Sequence, residues 1–265
     1  MTKLRLRATA AVLAALTGLA EPVRLDAQEE VGEPIITDRP DFTESAATVA
    51  PGRFQLEGGY TFTRLSSEKQ HSIGEVLVRL GVLEPLEARI GLNSVAVIDA
   101  PDSHASGLED LSLGAKVRFL RRDAGASRLV PDISLLGALI LPTGAEEVGE
   151  DEVQPSAILA AAWELSDRVS VGSNLGYENR ADGDERIDEL FGSVAVGLGL
   201  TERWGAFLEY FGFFPERGGG PTTHFVDAGL TLLFGRDVQL DWRAGLGLDD
   251  PEPNYFLGIG VSWRR

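Results

Sequence analysis

Two runs near the end of the chain, Val238–Leu248 and Tyr255–Trp263, alternate apolar with polar or small residues without a slip. In the first, Val238, Leu240, Trp242, Ala244, Leu246 and Leu248 share one side, and Gln239, Asp241, Arg243, Gly245 and Gly247 share the other. In the second, Tyr255, Leu257, Ile259, Val261 and Trp263 oppose Phe256, Gly258, Gly260, Ser262 and Arg264. A period of two marks a β-strand, because successive side chains point to opposite faces. The turn-rich DDPEPN between the runs joins them as an antiparallel hairpin.

The same alternation recurs upstream. Apolar faces are carried by Phe54–Phe62, Val76–Leu80, Ala88–Leu92, Leu111–Phe119, Ile133–Leu141, Ala157–Trp163, Val169–Tyr177, Leu190–Leu198, Trp204–Tyr210 and Val226–Phe234. With the closing hairpin the count is about twelve strands. No Asp, Glu, Lys or Arg falls on these faces, although charged residues make up 25% of the chain. A charge facing lipid near the midplane costs about 2–4 kcal/mol, so this exclusion is what a lipid-facing wall requires. The fold class is all-β, an antiparallel transmembrane β-barrel of about 12 strands over residues 53–265, with an apolar exterior and a polar lumen.

The connections agree with that reading. Short inner turns are expected near 83–87, 121–128, 165–168, 200–203 and 235–237, and longer outer loops near 66–72, 99–107, 142–154, 179–187, 215–223 and 249–254. A soluble β-sandwich has no reason to alternate long and short links. Aromatic residues favour the water–lipid boundary, which assigns Trp163, Trp204, Phe234, Trp242 and Trp263 to the inner girdle. Phe62, Tyr177 and Tyr210 belong to the outer one.

The N-terminus reads as an address. Lys3, Arg5 and Arg7 precede the apolar, alanine-rich stretch 8–20, and LDA at 25–27 completes a secretory signal peptide over 1–27, cleaved after Ala27 in preference to Ala20. No later stretch is long and apolar enough for a membrane-spanning helix, so membrane residence falls to strands. The chain has no cysteine, so the exported protein folds without disulfides. Its formal charge of −17 excludes nucleic acid as a partner on electrostatic grounds. Residues 28–52 are irregular and contain Pro34, Pro40 and Pro51; they form a linker or a lumen plug, and composition favours the linker.

Chemistry would sit on the polar face. The lumen candidates are Glu57, Glu75, Arg79, Arg89, Asp110, Lys116, Arg118, Asp227, Asp241 and Arg243, with Glu164, Glu178 and Glu209 on the same parity. Acids outnumber bases, and rings of Asp and Glu select cations. The opposing possibility is a network of paired charges that fills and closes the barrel. The loop cluster Glu146, Glu147, Glu150, Asp151 and Glu152 has the spacing of no defined metal site and reads as a solvated loop. His104 and Ser106, in SHAS, are the nearest approach to a nucleophile with a base. They are placed in a loop, whereas a nucleophile needs its base held by a third group on a rigid element, so no catalytic residue, metal or cofactor is assigned.

Four segments together resemble a known family: IITDRPDFTESAATVAPGRFQLEGGYTF, GLEDLSLGAKVRFL, PDISLLGALILPTG and YFLGIGVSWR. The chain is similar over residues 34–264 to the bacterial outer-membrane transporter family labelled with the meta pathway of phenol degradation. The resemblance implies an outer-membrane barrel in a Gram-negative envelope that passes small-molecule solutes, small aromatic compounds among them. Its partners would be outer-membrane lipid, lipopolysaccharide and the barrel-insertion machinery. A closed structural barrel is the alternative, and an outer-membrane lipid hydrolase a more distant one. One departure is the end of the chain, where Arg264 and Arg265 follow Trp263.

Overall fold

The computed structural model describes residues 33–123, 125–182, 185–216, 221–249 and 254–265. The expected signal peptide, 1–27, lies outside the described residues. From Pro34 onward the chain forms one compact unit.

The strands are β1 (Phe54–Leu65), β2 (Glu68–Leu83), β3 (Leu86–Ala100), β4 (Ser103–Leu108), β5 (Leu111–Leu120), β6 (Asp132–Leu141), β7 (Gln154–Glu164), β8 (Val169–Asp182), β9 (Glu185–Gly199), β10 (Trp204–Pro215), β11 (Thr223–Phe234), β12 (Val238–Gly247) and β13 (Tyr255–Arg264). Each runs antiparallel to its neighbours, β1 pairs with β13, and β2 pairs with β3, so the sheet closes on itself. The short β4 continues the line of β5: β5 covers the first half of β3 and β4 the second. The wall therefore has twelve positions, as the alternation predicts. No helix among the described residues is long and apolar enough to cross a membrane.

The barrel is hydrophobic on its outside. Leu56, Leu113, Leu135, Leu159, Leu175, Leu208, Leu230 and Ile259 are all exposed, and each belongs to an apolar face read from the sequence. Exposure of this kind suits hydrocarbon in place of water. At the end carrying the short turns, the Trp163 indole donates to Leu129 O (3.2 Å), Trp204 stacks on Trp242 (6.1 Å between centroids), and Phe54 meets Trp263 edge-on (5.2 Å). At the other end, Tyr60 and Tyr210 hydrogen-bond His71 and His224 at 2.8 and 2.6 Å. Trp163, Tyr60 and Tyr210 thus each keep a polar partner at the boundary.

The outer connections differ from expectation. Segments 66–72, 99–107 and 179–187, expected as loops, are mostly strand: β1 and β2 are separated only by 66–67, β3 and β4 only by 101–102, and β8 continues to Asp182 before β9 begins at Glu185. Ladder hydrogen bonds continue past the membrane band wherever a tight turn permits, and Ser66 supplies one with φ 49°.

Candidate functional site

The lumen is occupied by the chain's own segment 34–50. Both of its ends are tied at the short-turn end of the barrel: Ile35 N donates to Arg236 O (2.7 Å), and Gly52 N donates to Gly81 O (2.9 Å). Between them the chain rises into the barrel and returns, so the segment left between linker and plug by the sequence lies inside the barrel. Glycine gives it room on the wall. A Cβ at Gly81 would sit 1.9 Å from Ala50 O, and one at Gly260 would sit 2.3 Å from Arg39 Nε.

Asp38 is the main tether. Its carboxylate receives Lys116 Nζ (3.1 Å to each oxygen), Arg89 Nη1 (2.5 Å), Ser45 N (2.9 Å) and Ser45 Oγ (2.6 Å), and pairs with Arg79 Nη1 at 3.1 Å. Burial alone would raise its pKa, but the charges of Arg79, Lys116 and Arg89 together hold it well below the usual carboxylate range. Arg79 also donates to Glu57 (3.0 Å), Glu87 (2.9 and 3.0 Å) and Ala47 O (3.0 Å), while Arg89 reaches Glu44 at 2.9 Å. Arg79 is 1% exposed, and Glu57, Glu87 and Lys116 are 0% exposed. Charges so buried persist only because each is paired and hydrogen-bonded.

A second set holds the tip. Arg39 pairs with Glu75 (2.5 Å) and Asp241 (3.4 Å), and Arg243 donates to Pro40 O (2.9 Å) and Thr61 Oγ1 (3.0 Å). Glu209 receives Phe42 N at 2.6 Å and the Thr43 hydroxyl, and Asn174 Oδ1 receives Glu44 N at 2.6 Å. Asp227, opposite Glu209 in the ladder, is buried with no hydrogen-bond partner on either oxygen among the described residues. Asp41 is half-buried; burial and then the neighbouring carboxylates of Glu209 and Asp227 push its pKa well above the usual range.

Eight of the ten lumen candidates read from the sequence therefore surround this segment: Glu57, Glu75, Arg79, Arg89, Lys116, Asp227, Asp241 and Arg243. The other two do different work. Asp110 receives Thr143 N (2.8 Å), Gly144 N (2.7 Å) and Glu150 N (2.8 Å), fastening the acidic loop to the wall. Arg118 pairs with Asp132 (2.7 Å) on the neighbouring strand β6. Glu164, placed in the lumen by parity, lines the cavity beside Thr37 and Asp41, where it is exposed and pairs with Arg122. Sequence reasoning missed Asp38, Arg39 and Glu44, which sit in an irregular stretch where no period applies, and Glu87, which was assigned to the turn 83–87 but is the second residue of β3.

It also missed that much of the lumen wall is apolar. Phe42 stacks on Phe211 (4.6 Å) and meets Phe191 (5.7 Å) and Phe213 (5.4 Å) edge-on; Phe211 in turn stacks on Phe225 (5.0 Å). The Arg243 guanidinium lies over Phe256 at 5.2 Å. Across the barrel, Ala46 packs on Leu136 and Ala160, with Ile158 and Ala162 beside them. The segment separates two cavities. One of about 630 Å³ is lined by Thr37, Asp41, Arg168, Ser170 and Gln239, and one of about 400 Å³ by Glu44, Leu77, Leu136, Ile140 and Ile158.

His104 and Ser106 are on strand β4, not in a loop. His104 Nδ1 lies 2.6 Å from Asp99 Oδ1, but among the described residues no hydrogen bond joins the histidine to Ser106. No group of three or more His, Cys, Asp or Glu side chains among the described residues is arranged to hold a metal.

Residues 37–265 match the family described as "Putative MetA-pathway of phenol degradation". The chain belongs to that family. Among solved structures, this member of the phenol-degradation family is similar to an outer membrane channel from Pseudomonas putida F1, with TM-score 0.64 and 12% identity over 87% of this chain and 100% of that one. It is also similar to the NanC porin (TM-score 0.55, 11% identity, 79% and 98% covered) and to the KdgM porin (0.52, 10%, 79% and 98%). At such identities the likeness is one of fold, that of a porin-like outer-membrane barrel. No curated protein matches the sequence.

Proposed function

We propose that the barrel passes small apolar molecules, small aromatic compounds in particular, across the outer membrane, and that residues 34–50 must shift for them to pass. The observation that carries this reading is the lumen-facing aromatic wall around Phe42, formed by Phe191, Phe211, Phe213 and Phe225. Such rings offer stacking partners to an aromatic solute. In a water-filled conduit for ions they would only add apolar surface. The charged residues read from the sequence as an ion filter serve instead as anchors for the segment, since most are spent on one another or on its backbone. The family's description agrees in naming an aromatic compound. The barrel would be exported through its signal peptide, placed by the insertion machinery, and surrounded by lipid and lipopolysaccharide. It hydrolyses nothing in this reading.

Uptake of naphthalene into proteoliposomes that trap it inside, set against uptake of a hexose, tests the proposal. Naphthalene entry above that of empty liposomes, reduced several-fold by Phe211→Ala without loss of the folded barrel, is expected. A steady cation-selective current that falls when Glu57, Glu75 and Asp227 are neutralised, with no naphthalene entry, would return the barrel to the ion-pore reading. Neither current nor entry would leave a closed structural barrel.

A further inference from the structure

We infer that the short-turn rim from β10 round to β1 is a docking surface for an anionic phospholipid, with its phosphate held by Arg203 and Arg265 and its chains laid along the wall. The inference does not depend on what passes through the lumen.

Charge is spread unevenly over the chain. Its 41 acidic residues outnumber its 24 basic ones, and the six connections at the far end carry fifteen carboxylates against four basic side chains. The short-turn rim reverses that balance between β10 and β1. There the links 200–203 and 235–237 and the flanks of β1 and β13 supply Arg53, Arg203, Arg236, Arg264 and Arg265 against the carboxylates of Glu202 and Asp237. Asp237 is spent on Arg264 (2.9 Å) and Arg53 (3.7 Å). Among the described residues no ion pair joins Arg203 or Arg265 to a carboxylate. Further round the rim, Arg121 and Arg128 are neutralised by Glu84 (2.8 Å) and Asp167 (2.6 Å).

Both unpaired arginines stand beside lipid-facing rings. Arg265 follows Trp263 on the outward parity of β13, is exposed, and exchanges backbone hydrogen bonds with Phe54 (2.9 Å each way). Arg203 lies one residue before β10. Its Nε donates to Leu233 O (3.1 Å), and its guanidinium rests on the exposed ring of Phe234, 5.3 Å from the centroid. Ring and carbonyl engage one face and one nitrogen, which leaves the terminal nitrogens to a ligand. A guanidinium fork matches phosphate oxygens in two hydrogen bonds. Just inside these cations lie the stacked Trp204 and Trp242 and the edge-on Phe54 and Trp263, rings suited to the level where headgroups meet acyl chains. Beyond the rings, exposed Leu208, Leu230, Ile259 and Val261 give those chains an apolar seat. Cation, aromatic girdle and apolar wall therefore follow one another in the order of phosphate, glycerol and acyl chain. By the rule of loop lengths the short-turn end is periplasmic, where the leaflet is phospholipid. The terminal Arg264–Arg265 pair, a departure from an aromatic ending, acquires a purpose here.

The chain has four tryptophans, and three of them, Trp204, Trp242 and Trp263, belong to this belt. In a Trp163→Phe background the fluorescence therefore reports on the belt alone. The full barrel is reconstituted in phosphatidylcholine vesicles that contain a rising fraction of phosphatidylglycerol, or of phosphatidylcholine, brominated close to the headgroup. Half-maximal quenching at about a fivefold smaller fraction of the anionic lipid, the worth of one arginine at an anionic surface, is expected. Arg203→Gln with Arg265→Gln should make the two lipids quench equally, while Arg121→Gln, which removes a paired arginine, leaves the preference intact. A second measurement needs no substitution in the rim: at 1 M salt exposed charges are screened beyond roughly 3 Å, and the preference should vanish. Equal quenching by both lipids at low salt overturns the proposal, and so does a preference that survives the double substitution or the salt. Absence of quenching by either lipid means that protein, such as a second copy of the chain, covers the belt, and overturns it as well. A preference lost on adding inorganic phosphate at constant ionic strength would mark an ion site and refute a lipid one.

Discussion

Asp38 joins an otherwise mobile kind of sequence, a proline-bearing irregular segment, to three cations of the wall, and its removal gives the sharpest test of how that segment is held. The substitution Asp38→Asn keeps the shape and removes the charge. Arg79 and Arg89 would keep Glu57, Glu87 and Glu44 as partners. Lys116 would not fare so well: it is 0% exposed, and the carboxylate left to it, Glu44, is 3.8 Å away. Removing one partner from a buried pair costs about 3–5 kcal/mol, and the lower end applies here because two of the three cations remain compensated. About 3 kcal/mol corresponds to a shift of roughly a hundredfold in the equilibrium between inserted and withdrawn segment. Ala46 is 2% exposed against Leu136 and Ala160, so Ala46→Cys reports withdrawal through its rate of reaction with a water-soluble maleimide. The double variant should react about a hundred times faster than Ala46→Cys alone, in the regime where closing outpaces labelling. A ratio below about three would mean that the tether contributes little and that packing of Phe42 and Ala46 retains the segment.

Two of the segment's acids, Asp38 and Asp41, should respond oppositely to pH. Because Asp38 is held below its free value, its contribution is present above the ordinary carboxylate range and lost only as pH falls through the depressed value; Ala46→Cys labelling should show no Asp38-dependent change from pH 5 to 8. Asp41 is raised, so it weakens retention as pH climbs from its free value through the raised one, and Asp41→Asn should slow Ala46→Cys labelling at pH 8 more than at pH 5. Asp110→Ala removes the acceptor for three backbone N–H groups of loop 142–153, and cleavage there by a glutamate-specific protease should accelerate at least tenfold with the barrel still folded. Phospholipid release by the purified barrel should stay at the level of empty liposomes and be unaltered by Ser106→Ala; a loss of activity in that variant would establish a lipase.

The wall was legible because lipid imposes a rule that local sequence must obey. Every strand predicted from alternation is present, and the faces predicted to be apolar are the ones exposed, from Leu56 on β1 to Val261 on β13. The outer loops were less legible. Alternation near 66–72 and 99–107 is interrupted by charge and small residues, which remove the lipid signal but not the capacity to form a ladder, so strands that continue above the membrane look like loops. His104 and Ser106 were misplaced for this reason: their strand β4 pairs Asp99 with His104 beyond the apolar band.

The lumen was only half legible, and the reason is physical. On the outside a single forbidden class, charge, gives a uniform signature; on the inside both charge and apolar side chains are permitted, provided that something packs against them. Phe211 and Phe213 share the inward parity of Glu209, and nothing in their own strand says whether they meet water or another ring. What decides it is Phe42, which comes from a segment with no period to read and lies more than a hundred residues away in the chain. The same holds for Lys116, an unpaired lysine on a strand until Asp38 is brought 3.1 Å from it. The DRPDFTES stretch did carry a signal of another kind: charges and an aromatic ring in a proline-bearing loop have complements on the inward faces of β2, β3, β5 and β10, in Arg79, Arg89, Lys116 and Phe211. Asking which irregular segment could neutralise the inward charges of the wall, instead of which solute those charges could select, leads to residues 34–50.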